Sequence, residues 1–136
     1  MSIDHIAYYT PTSVFKDEIA FLTASLKHLD IVELVRIPGM DNLVGLGKGQ
    51  KAFLWVSGLD ENKRTKLGDA MHVALAAESQ EQVDIYHREA LKAGGRCNGP
   101  PGIREVYHKG YYAAFVHTPA GMNLEVVYHD FGWLQK

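Results

Sequence analysis

Hydrophobic and polar positions in the first half of the chain alternate in short runs, and one longer stretch between them has a helical period. The stretch covers 14–28, where apolar residues recur at spacings of four, three and four: Phe15, Ile19, Leu22 and Leu26. Four β-rich runs surround it, one before and three after, at 3–9, 31–37, 42–46 and 51–56. Pro38-Gly39 and Gly47-Lys48-Gly49 separate the last three runs. The pattern predicts a strand, a helix and three strands, in that order.

The second half repeats this order. A strand over 72–77 leads to Ser79, which together with Gln82 has the capping-box signature of a helix start. Gly94-Gly95 is a strong helix stop. Three β-rich runs follow, at 96–106, 111–117 and 122–129. Because Gly99-Pro100-Pro101-Gly102 interrupts the first of these runs, we expect that strand to be short or irregular.

Two pairs of residues indicate that the halves are duplicates. His5 and His72 each stand near the start of a β-like run, 67 residues apart, and the same offset separates Thr12 from Ser79, the two candidate helix caps. Equal offsets for a histidine and a cap predict two βαβββ modules within one α+β domain over 1–136. We expect the following division: module 1 over about 1–57, a polar linker over about 58–70 and module 2 over about 71–130.

Composition and charge exclude several classes of protein and of partner. The net charge is −2 with Lys and Arg scattered along the chain, so we expect no nucleic-acid partner. No apolar run approaches the roughly 20 residues of a membrane span, and we expect neither a membrane association nor a secretory signal. Cys97 is the only cysteine, which excludes a disulfide within the chain and agrees with a cytoplasmic location. Nothing beside Cys97 in the sequence indicates an activated thiol.

The two histidines and Glu125 form a candidate metal-ligand set. Strand alternation places small residues on the same face as each histidine. In the last strand it places Glu125 on one face and both Leu124 and Val126 on the other. A buried carboxylate needs a partner, which could be a divalent metal or the side chain of Arg36 or Lys51. A lone histidine or glutamate in a strand is more often a structural or solvated residue. The repeat-equivalent histidines favour a metal site, since two imidazoles and a carboxylate can occupy one face of an octahedral ion.

Three segments carry a family resemblance: Ile3-Asp4-His5-Ile6-Ala7, Met71-His72-Val73-Ala74-Leu75 and the closing hairpin Tyr112–Glu125, whose Pro-x-Gly turn ends four residues before the glutamate. They resemble the vicinal oxygen chelate superfamily, which includes glyoxalase I, bleomycin resistance proteins and extradiol dioxygenases. The resemblance covers nearly the whole chain. It implies two βαβββ modules in a cup-shaped, partly open mixed sheet with the helices outside.

The same resemblance implies that His5, His72 and Glu125 bind one divalent metal ion per site, which could be Fe, Mn, Zn, Ni or Co. It also implies a homodimer, because incomplete sheets expose edges that commonly pair. Glyoxalase I has a fourth ligand, a Glu or Gln, in the last strand of its first module. Aligning the two closing strands places Phe53 opposite Glu125, and 51–56 contains no carboxylate or amide.

Extradiol dioxygenases use this three-ligand set together with a further histidine before the second module and a tyrosine in the closing hairpin. Here no histidine lies between His28 and His72, and Phe115 takes the tyrosine position. Tyr112 and His108, at the mouth of the closing hairpin, are the first candidates to exchange protons with a substrate in their place.

The sequence therefore predicts a metal-dependent enzyme that acts on a small substrate chelated through its oxygens. A dioxygenase-like reaction and an isomerase or lyase reaction both remain open, as does the general acid or base. The alternative is a non-catalytic protein, similar to the bleomycin resistance proteins, that binds a small molecule in the same cup.

Overall fold

The computed structural model describes residues 4–59 and 71–132. Module 1 contains β1 (Ile6–Pro11), α1 (Thr12–Leu26), a 3-10 turn (Lys27–Leu29), β2 (Val32–Arg36), β3 (Leu43–Lys48) and β4 (Lys51–Leu59). Module 2 contains β5 (His72–Ala76), α2 (Gln80–Lys92), β6 (Arg96–Ile103), β7 (Tyr111–His117) and β8 (Asn123–His129). The predicted order of strand, helix and three strands is confirmed in both halves. The first two residues of the expected linker end β4, and 60–70 lie outside the described residues.

Each module folds into a four-stranded mixed sheet with the same strand order. Sheet A has the order β1-β4-β3-β2, and sheet B has the order β5-β8-β7-β6. In both sheets the first and last strands of the module are parallel, with Ile6 paired to Leu54 as Val73 is paired to Leu124. The other neighbours are antiparallel. The α+β class and the duplicated βαβββ order are therefore confirmed, and β6 is irregular as expected, with two register shifts.

The two helices begin in different ways. At α2, Ser79 Oγ accepts a hydrogen bond from the N–H of Gln82 at 3.2 Å, and the Gln82 side chain accepts one from Glu78 N–H at 2.7 Å. The capping box is thus confirmed. At α1, Pro11 takes the cap position without a side-chain hydrogen bond and Thr12 is already helical. The expected cap at Thr12 is wrong, because the fixed φ of proline suits the entry to a helix one residue earlier. Within the described ranges, no helix is long and apolar enough to cross a membrane.

The two modules share one hydrophobic core, because α1 and α2 pack against their own sheets and against each other. Phe21 of α1 is fully buried and reaches into module 2. A Cβ atom on Gly95 would lie 2.6 Å from the Phe21 ring, so only glycine fits at this crossing. Next to it, His28 Nε2 donates to the backbone carbonyl of Gln82 at 2.8 Å. The modules are therefore joined through α1.

A buried carboxylate on α1 binds the closing turn of module 2. Glu18 has no exposed surface, and it accepts hydrogen bonds from the Tyr8 hydroxyl at 2.6 Å and from the Ala120 N–H at 2.8 Å. Burial raises the pKa of Glu18 above its usual 4.5, and hydrogen bonds from Tyr8, Thr118 and Ala120 oppose that rise. Glu18 is not among the residues predicted from the sequence, although its position three residues after Phe15 puts a charge on the apolar face of α1.

We predict that Glu18→Ala lowers the free energy of unfolding by about 2–4 kcal/mol. The substitution leaves the Tyr8 hydroxyl and the Ala120 N–H without their acceptor and opens a cavity in the core. Urea denaturation measures the loss. The matched control is Asp17→Ala, an exposed neighbour on the same helix, which should change stability by less than about 0.5 kcal/mol. Equal losses in the two variants would contradict a joining role for Glu18.

A second prediction concerns the charge of Glu18 and uses Glu18→Gln, which keeps the shape. Because burial raises the pKa of Glu18 in the folded state, the folded protein binds this proton more tightly than the unfolded chain does. The resulting stability is fully present below the usual pKa of 4.5 and is lost as the pH rises through the raised value. Relative to Glu18→Gln, the wild-type protein should therefore lose stability from pH 4.5 upwards. Urea midpoints at a series of pH values test this, and a pH-independent difference would refute it.

Candidate functional site

His72 and Glu125 meet on adjacent parallel strands of sheet B. His72 opens β5 and is paired with Asn123, while Glu125 lies two residues further along β8 and is paired with Ala74. His72 Nε2 is 3.0 Å from Glu125 Oε1. The carboxylate side chain is 3% exposed and the imidazole 46% exposed. The glutamate therefore forms the floor of the site, and the histidine lies at its rim.

The second ring nitrogen of His72 determines how this pair interacts. His72 Nδ1 is 3.0 Å from the backbone carbonyl of Asn123, and since a carbonyl only accepts, Nδ1 carries the hydrogen. A neutral His72 then directs the lone pair of Nε2 at the carboxylate of Glu125. Two electron pairs at this distance repel each other. A proton or a metal ion must therefore lie between Nε2 and Oε1.

Tyr111 binds the other oxygen of the same carboxylate. Its hydroxyl donates a hydrogen bond to Glu125 Oε2. Burial and the neighbouring carboxylate of Glu125 raise the pKa of Tyr111 well above its usual value, so the phenol keeps its proton and remains a donor. Arg36 and Lys51, the alternative partners expected for Glu125, are paired with other carboxylates. Both oxygens of the buried carboxylate are thus engaged within module 2.

Phe115 forms a wall beside the imidazole. The rings of His72 and Phe115 stack with their centroids 6.2 Å apart. The guanidinium of Arg104 lies 5.1 Å from the Phe115 centroid, and it donates to the backbone carbonyls of Gly102 and Ala113 at 2.8 Å each. The arginine is therefore fixed by the backbone of β6 and β7, and it holds the aromatic wall in place.

His5 lies on the module 1 side of a cavity between the two sheets. It precedes β1 instead of lying within it, and its Nδ1 is 2.7 Å from the Asp4 carboxylate. The cavity has a volume of about 230 Å³ and is lined by Asp4, His5, Ile6, Phe53, Val73, Ala74 and Leu75. Because Ala74 is the residue paired with Glu125, the cavity adjoins the His72–Glu125 pair. No three His, Cys, Asp or Glu side chains within 4–59 and 71–132 are grouped to hold a metal, and His5 stays a predicted ligand.

The position that a fourth ligand would take in module 1 belongs to Trp55. The pairing of β1 with β4 and of β5 with β8 makes Trp55, and not Phe53, the equivalent of Glu125. The expected alignment is wrong by two residues, because strand composition alone does not fix the register. A Cβ atom on Gly45 would lie 2.9 Å from the indole, so the ring lies directly on that glycine. Neither aromatic residue can bind a metal, and β4 supplies no ligand.

Tyr112, expected at the mouth of the site, faces α2. Its hydroxyl donates to Asp84 Oδ1 at 2.6 Å, on the helix-covered side of sheet B. The register of the closing hairpin pairs Phe115 with Glu125, so alternate residues counted back from Phe115 share the face of the glutamate. Counting from the Pro-x-Gly turn in this way selects Tyr111, and that signal was available in the sequence.

His108, the other residue expected to exchange protons, lies in a cluster of rings above Tyr111. Its Nε2 is 2.9 Å from His129 Nδ1, and its ring meets Tyr111 edge-on with centroids 5.4 Å apart. Phe131 stacks on both imidazoles at 4.9 and 5.4 Å. His108 therefore contacts the ring that donates to Glu125. No sequence pattern predicts the pairing with His129, because it depends on the path of the loop between β6 and β7.

The geometry of His72 and Glu125 suits two positions around a divalent metal. Metal–ligand bonds of about 2.0–2.2 Å at right angles separate the two donor atoms by about 2.9 Å. The observed separation is 3.0 Å. A hydrogen bond from Nδ1 to a backbone carbonyl is also the arrangement that orients metal-binding imidazoles. The residues present fit the metal that the resemblance implies at two of its three positions.

Nearly the whole chain is similar in structure to several solved proteins. A glyoxalase/bleomycin resistance protein from Albidiferax ferrireducens T118 has a TM-score of 0.74 at 20% identity, covering 93% of this chain and 98% of that one. A glyoxalase/bleomycin resistance protein/dioxygenase family enzyme from Burkholderia phytofirmans PsJN has a TM-score of 0.71 at 16% identity, covering 96% and 100%. A lactoylglutathione lyase from Agrobacterium tumefaciens has a TM-score of 0.65 at 18% identity, covering 93% and 92%. No protein-family model and no curated protein matches the sequence. These similarities establish the fold, which is the one that the resemblance noted in the sequence implies.

We predict that Tyr111→Phe lowers the free energy of unfolding by about 1–3 kcal/mol. The variant keeps the ring but removes the donor from a buried carboxylate oxygen. Tyr107→Phe is the matched control, because Tyr107 is 61% exposed and also contacts the Tyr111 ring; it should change stability by less than about 0.5 kcal/mol. Urea denaturation compares the two. Equal values would mean that Tyr111 does not hold Glu125.

Proposed function

We propose that this chain, which has the fold of the glyoxalase/bleomycin resistance/dioxygenase proteins, is a metal-dependent enzyme acting on a small substrate. In this proposal His5, His72 and Glu125 hold one divalent ion, and the substrate is chelated through its oxygens at the remaining positions. Iron would favour dioxygenase-like chemistry. Zinc, nickel, manganese or cobalt would favour isomerase or lyase chemistry.

The observation that carries the proposal is the hydrogen bond from His72 Nδ1 to the Asn123 carbonyl. In a neutral His72 it leaves an electron pair on Nε2 facing the carboxylate of Glu125 at 3.0 Å. A metal ion between the two donors removes their repulsion and neutralises a glutamate that is almost completely buried. His5 lies across the adjoining cavity and can supply the third ligand after a change of its exposed side chain.

The residues around the pair have separate roles in this proposal. A bound metal would act as a Lewis acid on the substrate oxygens. Tyr111 holds a proton at its phenol oxygen and fixes the orientation of Glu125. Trp55 and Phe53 line the module 1 side and exclude water from it. These aromatic surfaces suit a substrate that is partly apolar.

His108 stays the candidate for exchanging protons with the substrate, because it contacts Tyr111 and shares a hydrogen bond with His129. Tyr112 is bound to Asp84 on the helix side. Its catalytic role requires that the hydroxyl leave this partner, so we rank His108 ahead of Tyr112.

The second candidate function is non-catalytic binding of a small molecule in the same cup. It is favoured by the hydrogen bond from Tyr111 to Glu125, since this donor and a proton on the His72–Glu125 pair together satisfy the carboxylate without a metal. Under this alternative, the aromatic side chains recognise a planar apolar ligand and the buried pair serves as its polar contact.

A cytoplasmic homodimer belongs to the proposal as well. Val32 in β2, with Ile37 and Met40 in the loop that follows, exposes 37–50% of its surface. Because β2 is the outer strand of sheet A, its free edge and these apolar side chains favour pairing with a second copy.

The enzyme proposal predicts about one divalent ion per chain in metal-replete protein. His5→Ala, His72→Ala and Glu125→Ala should each weaken metal binding by more than about tenfold, because each removes a ligand. Elemental analysis and titration calorimetry measure this. Cys97→Ser is the control for binding to the thiol and should retain the metal. Oxygen uptake with catechols by the iron-loaded protein then distinguishes a dioxygenase from an isomerase or lyase.

Protein that takes up none of the five metals, or whose binding survives loss of Glu125, would contradict the enzyme proposal. Calorimetry of the same metal-free protein with small aromatic compounds then tests the alternative. Binding that depends on Trp55 and Phe115 is expected if the cup is a non-catalytic receptor.

A further inference from the structure

The two repeat-equivalent histidines contact acceptors through the same ring nitrogen. His5 Nδ1 lies 2.7 Å from Asp4 Oδ2, and His72 Nδ1 lies 3.0 Å from the backbone carbonyl of Asn123. An ionised carboxylate and a carbonyl only accept hydrogen bonds, so Nδ1 carries the hydrogen in both rings. In the neutral form of each imidazole, Nε2 is therefore the nitrogen that keeps an electron pair.

The two acceptors come from different parts of the chain. His72 begins β5, and its acceptor is the main chain of Asn123, its pairing partner in β8. His5 precedes β1, and its acceptor is the side chain of the residue before it. The offset of 67 residues places Met71 at the position equivalent to Asp4. The carboxylate is thus particular to module 1, where the histidine lies outside the strand.

Lys51, the first residue of β4, holds the carboxylate of Asp4 on its other side. Its Nζ lies 2.9 Å from Asp4 Oδ2, the same oxygen that accepts from His5 Nδ1. The side chains of His5, Asp4 and Lys51 are 55%, 65% and 62% exposed, so these contacts contribute little to stability. Their effect falls on the imidazole, because the hydrogen bond that one ring nitrogen makes decides which nitrogen is protonated.

The location of Asp4 brings this hydrogen bond to the candidate site. Asp4 and His5 both line the cavity between the two sheets, and Ala74, on the opposite side of that cavity, is paired with Glu125. The two residues are neighbours in the chain and both side chains are more than half exposed. The carboxylate can therefore follow the imidazole when the ring turns towards the His72–Glu125 pair.

We propose that Asp4 is a positioning residue, which fixes His5 in the tautomer whose Nε2 can bind the divalent ion. The inference rests on the proposed metal site, and it adds Asp4 to that site as the partner of a ligand. A neutral imidazole in water without such a partner favours the hydrogen on Nε2, and a nitrogen that carries a hydrogen cannot bind a metal. Asp4 stabilises the other tautomer, so the cost of moving the hydrogen is removed before the ion arrives.

The first experiment measures the tautomer of His5 in metal-free, ¹⁵N-labelled full-length protein at about pH 8, where an ordinary imidazole is neutral. Long-range ¹H–¹⁵N correlation spectra distinguish protonated from unprotonated ring nitrogens, and His5→Gln identifies the signals of His5. We expect the hydrogen on Nδ1 in the wild-type protein and mainly on Nε2 in Asp4→Ala. Asp4→Asn retains an acceptor oxygen and should preserve part of the Nδ1–H form. His72 should keep its tautomer in every variant, because its acceptor is a main-chain carbonyl.

The second experiment measures zinc binding by titration calorimetry. Asp4→Ala should weaken binding by about 10–100-fold, the usual effect of removing a group that orients a ligand, and Asp4→Asn should weaken it less. Asp17→Ala is the matched control, since it removes an exposed carboxylate from α1, and it should bind zinc within about twofold of wild type. The double variant Asp4→Ala/His5→Ala should bind no more weakly than His5→Ala, because Asp4 acts through His5.

A His5 tautomer that is the same in the wild-type protein and in Asp4→Ala would overturn the inference and leave the metal proposal standing. A further loss of affinity in the double variant relative to His5→Ala would also overturn it, since Asp4 would then bind the ion directly or attract it by charge. If the wild-type protein takes up no metal while Asp4 still determines the tautomer, the metal proposal fails, and the effect of Asp4 on His5 is supported.

Discussion

Glu18 brings a carboxylate into the core from α1, and two of the groups that bind it, Thr118 and Ala120, belong to the turn between β7 and β8. That turn determines where β8 begins, and Glu125 follows it by four residues. The contact of Glu18 with this turn thus fixes the position of the Glu125 carboxylate on the other face of the sheet. The close contact of Phe21 with Gly95 also fixes α1 against module 2. Side chains from two modules can contribute to one site only if the modules keep one relative position, and α1 supplies that constraint.

The two buried glutamates differ in what their surroundings permit. Glu18 is enclosed by three hydrogen-bond donors from the protein, so its requirements are met within the fold. Glu125 has one permanent donor, Tyr111, while its other oxygen faces an imidazole whose hydrogen is held elsewhere. The arrangement around Glu18 needs no further partner, and it helps to join the two modules. The arrangement around Glu125 needs a proton or a metal ion between His72 Nε2 and Glu125 Oε1, and the half-exposed ring of His72 leaves this position accessible from solvent.

Much of the architecture could be predicted from the sequence, because helical and alternating periods and the offset between His5 and His72 depend only on local order. The meeting of His72 with Glu125 followed from the same alternation. What could not be predicted depends on register and on contacts between distant elements. The equivalence of Trp55 with Glu125 requires the pairing of parallel strands. The contact of His87 with Cys97 requires the position of α2 on the outer strand of sheet B, which no local pattern encodes.

The indole of Trp55 on Gly45 has a further consequence for any ligand of the cup. Two modules with the same strand order and equivalent registers would offer a small molecule two similar poses, one against each half. In module 2 the matching strand pair carries Phe115 and Glu125, whereas in module 1 it carries glycine and tryptophan. One half therefore presents a polar floor with an aromatic wall, and the other presents a flat apolar plate. If the cup binds a small molecule as proposed, the two poses would not be equivalent, and the molecule would bind in a single orientation with its polar end towards Glu125.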